Sequence, residues 1–188
     1  MTYLMTAAFL VCFFMGIPLA LVMGITGIVV LIAMGVPLEV VAQRMFTGID
    51  SFPLMAVPFF ILAGDLMNRG GTTVRIIGFA NRLVGHIRGG LAHACVVANM
   101  IFAGISGSSV ADASAIGSIM IPSMEKSGYD LDFSAALNSV AATIGPIIPP
   151  SIIMVIYGVS VNVSVGGLFA AGFVPGILMG LALMIVVT

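Results

Sequence analysis

Charged side chains are scarce in this sequence, of which 7% is charged and 61% is hydrophobic. Soluble domains contain about 25% charged residues, so this chain has too few polar groups to cover a globular surface in water. Its mean hydropathy of +1.27 supports that exclusion. The apolar segments are long and lack the alternating pattern of barrel strands. We therefore predict an all-α integral membrane protein surrounded by the lipid bilayer.

Cysteine and basic residues are also few. Cys12 and Cys95 lie in apolar segments, where a free cysteine behaves as a small buried hydrophobe, so we expect neither a disulfide nor a metal pair. The formal net charge is −1, and no basic patch indicates nucleic acid as a partner. No basic region precedes the first apolar run, so the N-terminus does not have the pattern of a clean signal peptide.

A short polar segment, Ser106–Ser109, separates two apolar arms, Gly90–Ile105 and Val110–Met124. Each arm has about fifteen residues, which as a helix spans roughly 23 Å and falls short of the roughly 30 Å hydrocarbon core. The pattern predicts a re-entrant helical hairpin over residues 90–124 that turns at the polar segment. Irregular backbone at that depth is tolerated only inside protein or beside a wet cavity, and its helix ends offer unpaired polar groups. We therefore expect an ion or substrate site at this tip.

A second interruption follows at Gly145–Ser151, which contains three prolines. Proline lacks an N–H group and clashes with the preceding turn, so residues 133–160 are predicted to form a discontinuous helix. A hairpin together with a broken helix is typical of secondary transporters, which are usually built from two inverted repeats. Because one of each is found here, we interpret the chain as half of such a transporter.

The N-terminal part contains two further apolar segments. Tyr3–Met34 is interrupted at Gly16–Pro18, and we predict one long kinked span, with two shorter helices as the alternative. Residues 36–50 are predicted to connect the segments through a short amphipathic helix. Ser51–Asn68 is predicted as the next span, with Asp65 near its end forming an i,i+4 ion pair with Arg69.

Residues 72–88 show the pattern of an amphipathic helix lying in the membrane interface and ending at Gly89-Gly90. Four of the six basic residues lie between positions 69 and 88, so the positive-inside rule places this connection in the cytoplasm. Residues 165–187 are predicted as the last span. The apolar face comprises Ile76, Phe79, Ala80, Leu83 and Ile87, and the opposite face Arg75, Arg82 and His86.

Four segments together resemble one known family. They are G-I-S-G-S-S-V-A-D-A-S-A-I-G-S-I-M-I-P at 104–122, T-I-G-P-I-I-P-P-S-I-I-M-V-I-Y-G at 143–158, the stretch Asp50–Gly71, and G-H-I-R-G-G-L-A-H at 85–93. The sequence is similar to the large membrane subunit of tripartite ATP-independent periplasmic (TRAP) transporters, the DctM-like permeases. The resemblance covers essentially the whole chain, which has about half of the family's length.

The resemblance implies sodium-driven uptake of an organic acid, such as a C4-dicarboxylate or a sialic acid, across the bacterial inner membrane. It implies a periplasmic binding protein and a small membrane subunit as partners, and Na⁺ as coupling ion without any cofactor. It also implies an elevator-type transporter. On that basis residues 1–88 are scaffold-like spans with an interfacial arm, residues 89–160 belong to the transport domain, and residues 161–188 form a further span.

Matching the family's motif, we place one Na⁺ between the hairpin tip and the unwound backbone of the broken helix. Hydroxyl and carbonyl oxygens at the tip are suitable ligands for a hard cation. The alternative role of the serines at the tip is to pack and hydrogen-bond between helices. Asn99, one helical arm away, is expected to orient the tip or to add an amide oxygen. The tip residues are Ser106, Gly107, Ser108 and Ser109, and the facing residues are Thr143, Gly145 and Pro146.

Asp112 lies just past the tip, in the first turn of the second arm. It either caps and braces that helix end or acts directly on an ion or proton, since an ionisable residue at membrane depth is a functional hypothesis. Pro149, Pro150 and Ser151 are expected to open the second half-helix, whose N–H groups are suited to face a substrate carboxylate.

Other classes of function fit less well. Gly104–Gly107 matches the short G-x-S-G pattern of rhomboid proteases, but His86 and His93 precede the serine, and no histidine follows it as base. We therefore predict that the chain is not an enzyme. A stand-alone sodium- or proton-coupled carrier of related hairpin architecture is the alternative transporter, and a membrane scaffold without transport is the remaining one.

Overall fold

The computed structural model describes residues 2–188, apart from the side chain of Leu38, and this part of the chain is helical without strands. Contacts divide it into one unit ending at Ser51 and a second unit, Phe52–Thr188, which are described separately. The helices are α1 (Thr2–Phe14), α2 (Leu19–Ala33), α3 (Leu38–Ile49), α4 (Phe52–Arg69), α5 (Thr72–Val84), α6 (Gly90–Ser106), α7 (Ser109–Lys126), α8 (Leu131–Ala142), α9 (Ile152–Val161) and α10 (Val165–Val187).

In the first unit, the apolar run Tyr3–Met34 forms two helices, so the prediction of one kinked span is wrong and the alternative applies. Gly16 has a left-handed φ of 75° and Pro18 directly precedes α2, and together they end one helix and start another. Met5 of α1 and Leu31 of α2 line the same cavity, so the two helices run antiparallel. The predicted connecting helix is confirmed as α3, which follows Pro37.

The core of the second unit lies between α6, α7 and α8. Small residues such as Ala94, Ala98 and Ala103 are fully buried and allow these helices to approach closely. The predicted sequence of helix, short break and helix is confirmed, because only Gly107 and Ser108 separate α6 from α7. That this pair enters and leaves the bilayer on one side stays a prediction. The larger core residues are Val96, Phe102, Ile116, Met120, Met124 and Leu137.

The predicted discontinuous helix is also confirmed. α8 ends at Ala142, α9 begins at Ile152, and the intervening Thr143–Ser151 segment is not helical. Behind this segment runs α10, which by itself is long and apolar enough to cross a membrane. Its buried glycines, Gly172 and Gly176, contact Ile147 and Ile148 of the unwound segment.

α4 and α5 complete the second unit. The predicted ion pair is confirmed, because Arg69 Nε lies 2.9 Å from Asp65 Oδ2. The predicted end of α5 is wrong: the helix stops at Val84, four residues early, and Gly89 instead precedes α6 with a φ of 69°.

The predicted apolar face of α5 is also divided. Ile76 and Ala80 are buried in the core that α6 contributes to, whereas Phe79 and Leu83 are 58% and 54% exposed. The part of the apolar face of α5 that is buried against the core is therefore narrower than the face predicted from the sequence.

Candidate ion and substrate site

The tip between α6 and α7 touches the unwound segment between α8 and α9. Gly107 has a left-handed φ of 59°, and a Cβ atom there would lie 2.6 Å from Pro150 O and 3.1 Å from Ile152 N. At Gly104 the approach is looser, since a Cβ atom there would lie 3.6 Å from Pro149 O, an ordinary contact distance. No side chain fits between the two backbones at Gly107, so the two irregular segments meet directly.

A buried carboxyl group lies at this meeting point. Asp112, in the first turn of α7, is fully buried, and its Oδ1 accepts a hydrogen bond from Ser106 Oγ. Ser106 Oγ in turn accepts a hydrogen bond from the Ser108 N–H at 3.2 Å. The second carboxyl oxygen, Oδ2, points at Gly145, where any Cβ atom would collide with it. Ser106 and Asp112 of the hairpin and Gly145 of the unwound segment therefore form one cluster, called here the carboxylate cluster.

The carboxylate cluster has an unsatisfied acceptor. Asp112 Oδ2 is buried and finds no hydrogen-bond donor among the described residues. A buried polar atom without a partner is costly, and a carboxylate costs more than a neutral group. Carboxylate, hydroxyl and carbonyl oxygens are the ligands that hard cations prefer. The oxygen atoms around Asp112 Oδ2 therefore fit a small hard cation, or a proton, bound at this oxygen.

Two helices begin beside the cluster, and each is capped by a serine. Ser108 Oγ accepts from the Ala111 N–H at 3.5 Å at the start of α7. The fully buried Ser151 accepts from the Met154 N–H at 3.2 Å at the start of α9, which agrees with the predicted opening of that helix after Pro149 and Pro150. Both hydroxyls thus satisfy backbone donors, and the remaining N–H groups of each first turn are suited to bind an anion.

The other predicted site residues lie at different distances from the cluster. Pro146 and Ser109 are half-buried, next to Gly145 and to the tip respectively. Thr143 is exposed, and its hydroxyl donates to Val140 O at 2.6 Å, so its side chain does not join the cluster. Asn99 is fully buried but bonds to Asn138 of α8 at 3.3 Å rather than to the tip.

A cavity of about 490 Å³ adjoins the tip on the side of α4. α4 lies close to the tip at Gly64, where a Cβ atom would be in ordinary van der Waals contact with the Cα of Ser106, at 3.7 Å. The sequence pattern does not indicate this contribution of α4, because the i,i+4 spacing of Asp65 and Arg69 predicts only a local ion pair. The lining includes Phe60, Gly64, Asp65, Asn68, Ser106, Ser108, Val110, Ser114 and Ile152.

Asn138 was also missed. It is 2% exposed and lies in α8, four residues before that helix ends at Ala142. The signal in the sequence was a polar amide inside an apolar segment, a residue type that often forms hydrogen bonds between membrane helices.

Comparison with known proteins gives a consistent result. The family described as "Tripartite ATP-independent periplasmic transporter, DctM component" matches residues 6–188. The sialic acid TRAP transporter large permease protein SiaM of Vibrio cholerae is 51% identical over 77% of this chain and 34% of its own length. The C4-dicarboxylate TRAP transporter large permease protein DctM of Pseudomonas aeruginosa is 51% identical over 78% of the chain and 34% of its own length.

The isethionate TRAP transporter permease protein DctMQ of Oleidesulfovibrio alaskensis is 48% identical over 90% of the chain and 27% of its own length. The matched part of the chain thus spans about a third or less of these relatives. Their names state three different substrates at nearly equal identity, so overall similarity does not select one of them.

Proposed function

Because the chain belongs to the DctM component family of TRAP transporters, we propose that it forms part of the large permease subunit of a sodium-coupled importer of an organic acid. Members of this family are membrane proteins and transporters rather than enzymes, which confirms the prediction that the chain is not an enzyme. The family also disfavours the protease alternative for Ser106.

The observation that carries the sodium proposal is the unpartnered Oδ2 atom of Asp112, which faces Gly145 in the carboxylate cluster. We propose that Na⁺ binds here, with oxygen ligands from the hairpin tip and from the backbone around Gly145 and Pro146. Ser106 holds the carboxyl group in place through its hydrogen bond. A cation would compensate the buried negative charge, which is otherwise costly at membrane depth.

The substrate is proposed to bind in the cavity beside the tip. The starts of α7 and α9 contribute Ser108 and Ile152 to its lining, and the N-terminus of a helix favours an anion. Sialic acid, C4-dicarboxylates and isethionate, the substrates in the relatives' names, all carry an acidic group. Recognition of that group at the helix starts accounts for one shared architecture with different substrates.

We further propose that the chain works in the bacterial inner membrane with a small membrane subunit and a periplasmic binding protein, as members of this family do. The hairpin is proposed to be re-entrant, and the whole permease to contain a second inverted repeat and to move as an elevator. A stand-alone carrier is the second candidate, and dependence on the binding protein distinguishes the two.

The test is uptake by the full-length permease and its small subunit in proteoliposomes, with and without an inward sodium gradient and with and without the binding protein. We expect uptake to require both. Ser106→Ala or Ser109→Ala should raise the sodium concentration for half-maximal uptake without lowering the amount of protein, whereas the exposed Ser139→Ala should change neither. Unchanged sodium activation in both tip variants would contradict the ligand assignment, and sodium-driven uptake without the binding protein would favour the stand-alone carrier.

A further inference from the structure

A second buried polar group lies below the tip, and its centre is Asn138 of α8. Its Nδ2 donates to the carbonyl of Ala113, the residue after Asp112 in α7, at 2.9 Å. Its Oδ1 accepts from Asn99 Nδ2 of α6 at 3.3 Å and lies 3.7 Å from Cys95 Sγ. One amide therefore joins both arms of the hairpin to the helix that leads into the unwound segment.

The position of Asn138 depends on a glycine in α7. A Cβ atom on Gly117 would lie 2.5 Å from Asn138 Nδ2, closer than real Cβ atoms approach a neighbour, and 3.3 Å from Asn138 Cγ. Gly117 therefore provides the space through which the amide reaches Ala113. The residue next to Ala113 is Asp112, so the hydrogen bond holds the same helical turn that carries the buried carboxyl group.

The same amide lies on the helix that leads into the other side of the carboxylate cluster. Gly145 follows Asn138 by seven residues and is buried against Asp112. Asn99, the second amide, is fully buried and also donates to Cys95 O at 2.9 Å, which fixes its orientation within α6. The bonds of Asn138 thus connect α6, which carries Ser106, and α7, which carries Asp112, to α8, which leads into the segment with Gly145.

We propose that Asn138 is a positioning residue that sets the distance between Asp112 and Gly145 and thereby the sodium affinity of the transporter. The sodium part of this inference rests on the proposed function. The mechanical part, that the amide holds the first turn of α7 against α8, does not. Loss of the amide allows the turn to separate from α8 by small displacements, and a cation site formed by both sides loses affinity before the fold is lost.

The experiment compares three variants of the full-length permease with its small subunit. Asn138→Leu removes the amide at similar volume, and Gly117→Ala displaces it without changing any polar group. Ser139→Ala is the matched control, since its exposed hydroxyl bonds only to Ala135 O within α8. Hydrogen exchange of residues 109–117 in sodium-free buffer reports how readily the backbone of this part of α7 opens. The sodium dependence of uptake and its maximal rate are measured in parallel.

We expect both Asn138→Leu and Gly117→Ala to speed exchange of the α7 turn by about three- to tenfold, in line with measured interhelical hydrogen bonds in membranes. The sodium concentration for half-maximal uptake should rise by a similar factor, with the maximal rate at saturating sodium retained. Ser139→Ala should match the wild type in both. If Asn138→Leu does not fold, Gly117→Ala carries the test alone.

Unchanged exchange and unchanged sodium dependence in the variants would overturn the proposal, and so would faster exchange without any change in sodium dependence where the wild type is sodium-driven. A wild type without sodium dependence would instead contradict the proposed function. In that case the exchange data decide the mechanical part, which faster exchange supports and unchanged exchange rejects.

Discussion

The carboxyl group of Asp112 is buried, and only one of its two oxygens has a hydrogen-bond partner. Oδ1 accepts a hydrogen bond from Ser106, whereas Oδ2 faces Gly145 and has no hydrogen-bond donor among the described residues. The sequence placed Asp112 near the tip but left open whether it braces the helix or acts on an ion. The structure places it in contact with both irregular segments. Which serines join it was not predictable from the S-G-S-S segment, since a hydroxyl's direction depends on where the chain turns.

Replacement of this carboxyl group should separate an ion-binding role from a bracing role. Asp112→Asn keeps the volume and the hydrogen bond from Ser106 but removes the negative charge. We expect the sodium concentration for half-maximal uptake to rise about tenfold or more, because bonds to charged groups are worth about 1.5–3 kcal/mol. Asp132→Asn is the control, since that carboxylate is exposed at the start of α8 and does not line the cavity beside the tip. Equal sodium dependence of both variants and the wild type would assign Asp112 to bracing alone.

At the scale of elements, the interruptions of helices were predictable, and the packing between helices was not. Pro149, Pro150 and Gly107 act on their own backbone, so their effect is written locally in the sequence. α5 ends at Val84, directly before Gly85, whereas the periodic pattern alone extended that helix four residues too far. The buried glycines of α10 pack against the unwound segment, and this contact is apparent only from the folded structure.

The close contact between α10 and the unwound segment predicts that a larger residue at Gly176 lowers the stability of the fold. A Cβ atom on Gly176 would lie 2.5 Å from Ile148 Cγ1, so Gly176→Ala should force α10 away from the segment. We expect destabilisation by about 1–3 kcal/mol, as for other overpacked cores, measured as a lower unfolding temperature of the purified complex. Gly166→Ala, whose Cβ would have Ser164 Oγ at 3.9 Å, should change the unfolding temperature little. Equal effects of the two variants would show that close packing at Gly176 is unimportant.

At the scale of the whole molecule, the family model matches residues 6–188, yet most of the helices are short for a membrane span. Among the helices of the described residues, α10 alone is both long enough and apolar enough to span a membrane by itself. Short helices that meet at irregular segments suit a protein whose spans are discontinuous. Four basic residues between positions 69 and 88 indicate which side of the membrane the start of the hairpin faces.

A re-entrant hairpin predicts that both of its ends lie on one side of the membrane. Arg88 precedes α6 and Ser127 follows α7, and both are exposed. Single cysteines there, in a full-length permease with its other accessible cysteines replaced, should both react with an impermeant thiol reagent from the cytoplasmic side alone. A cysteine at Ser108, at the tip, should react much more slowly with the same reagent. Labelling of positions 88 and 127 from opposite sides would show that α6 and α7 together cross the bilayer once.

The sequence by itself determined the membrane class, the helical content, the two interruptions and the family. Composition sets the solvent in which a chain is stable, and proline or glycine act within a few residues of their position. Only the tertiary structure decided that α1 and α2 fold back on each other, that Asp112 faces Gly145, and that Asn138 joins three helices. These contacts connect residues far apart in the chain, and no local pattern states which buried faces meet when the helices pack.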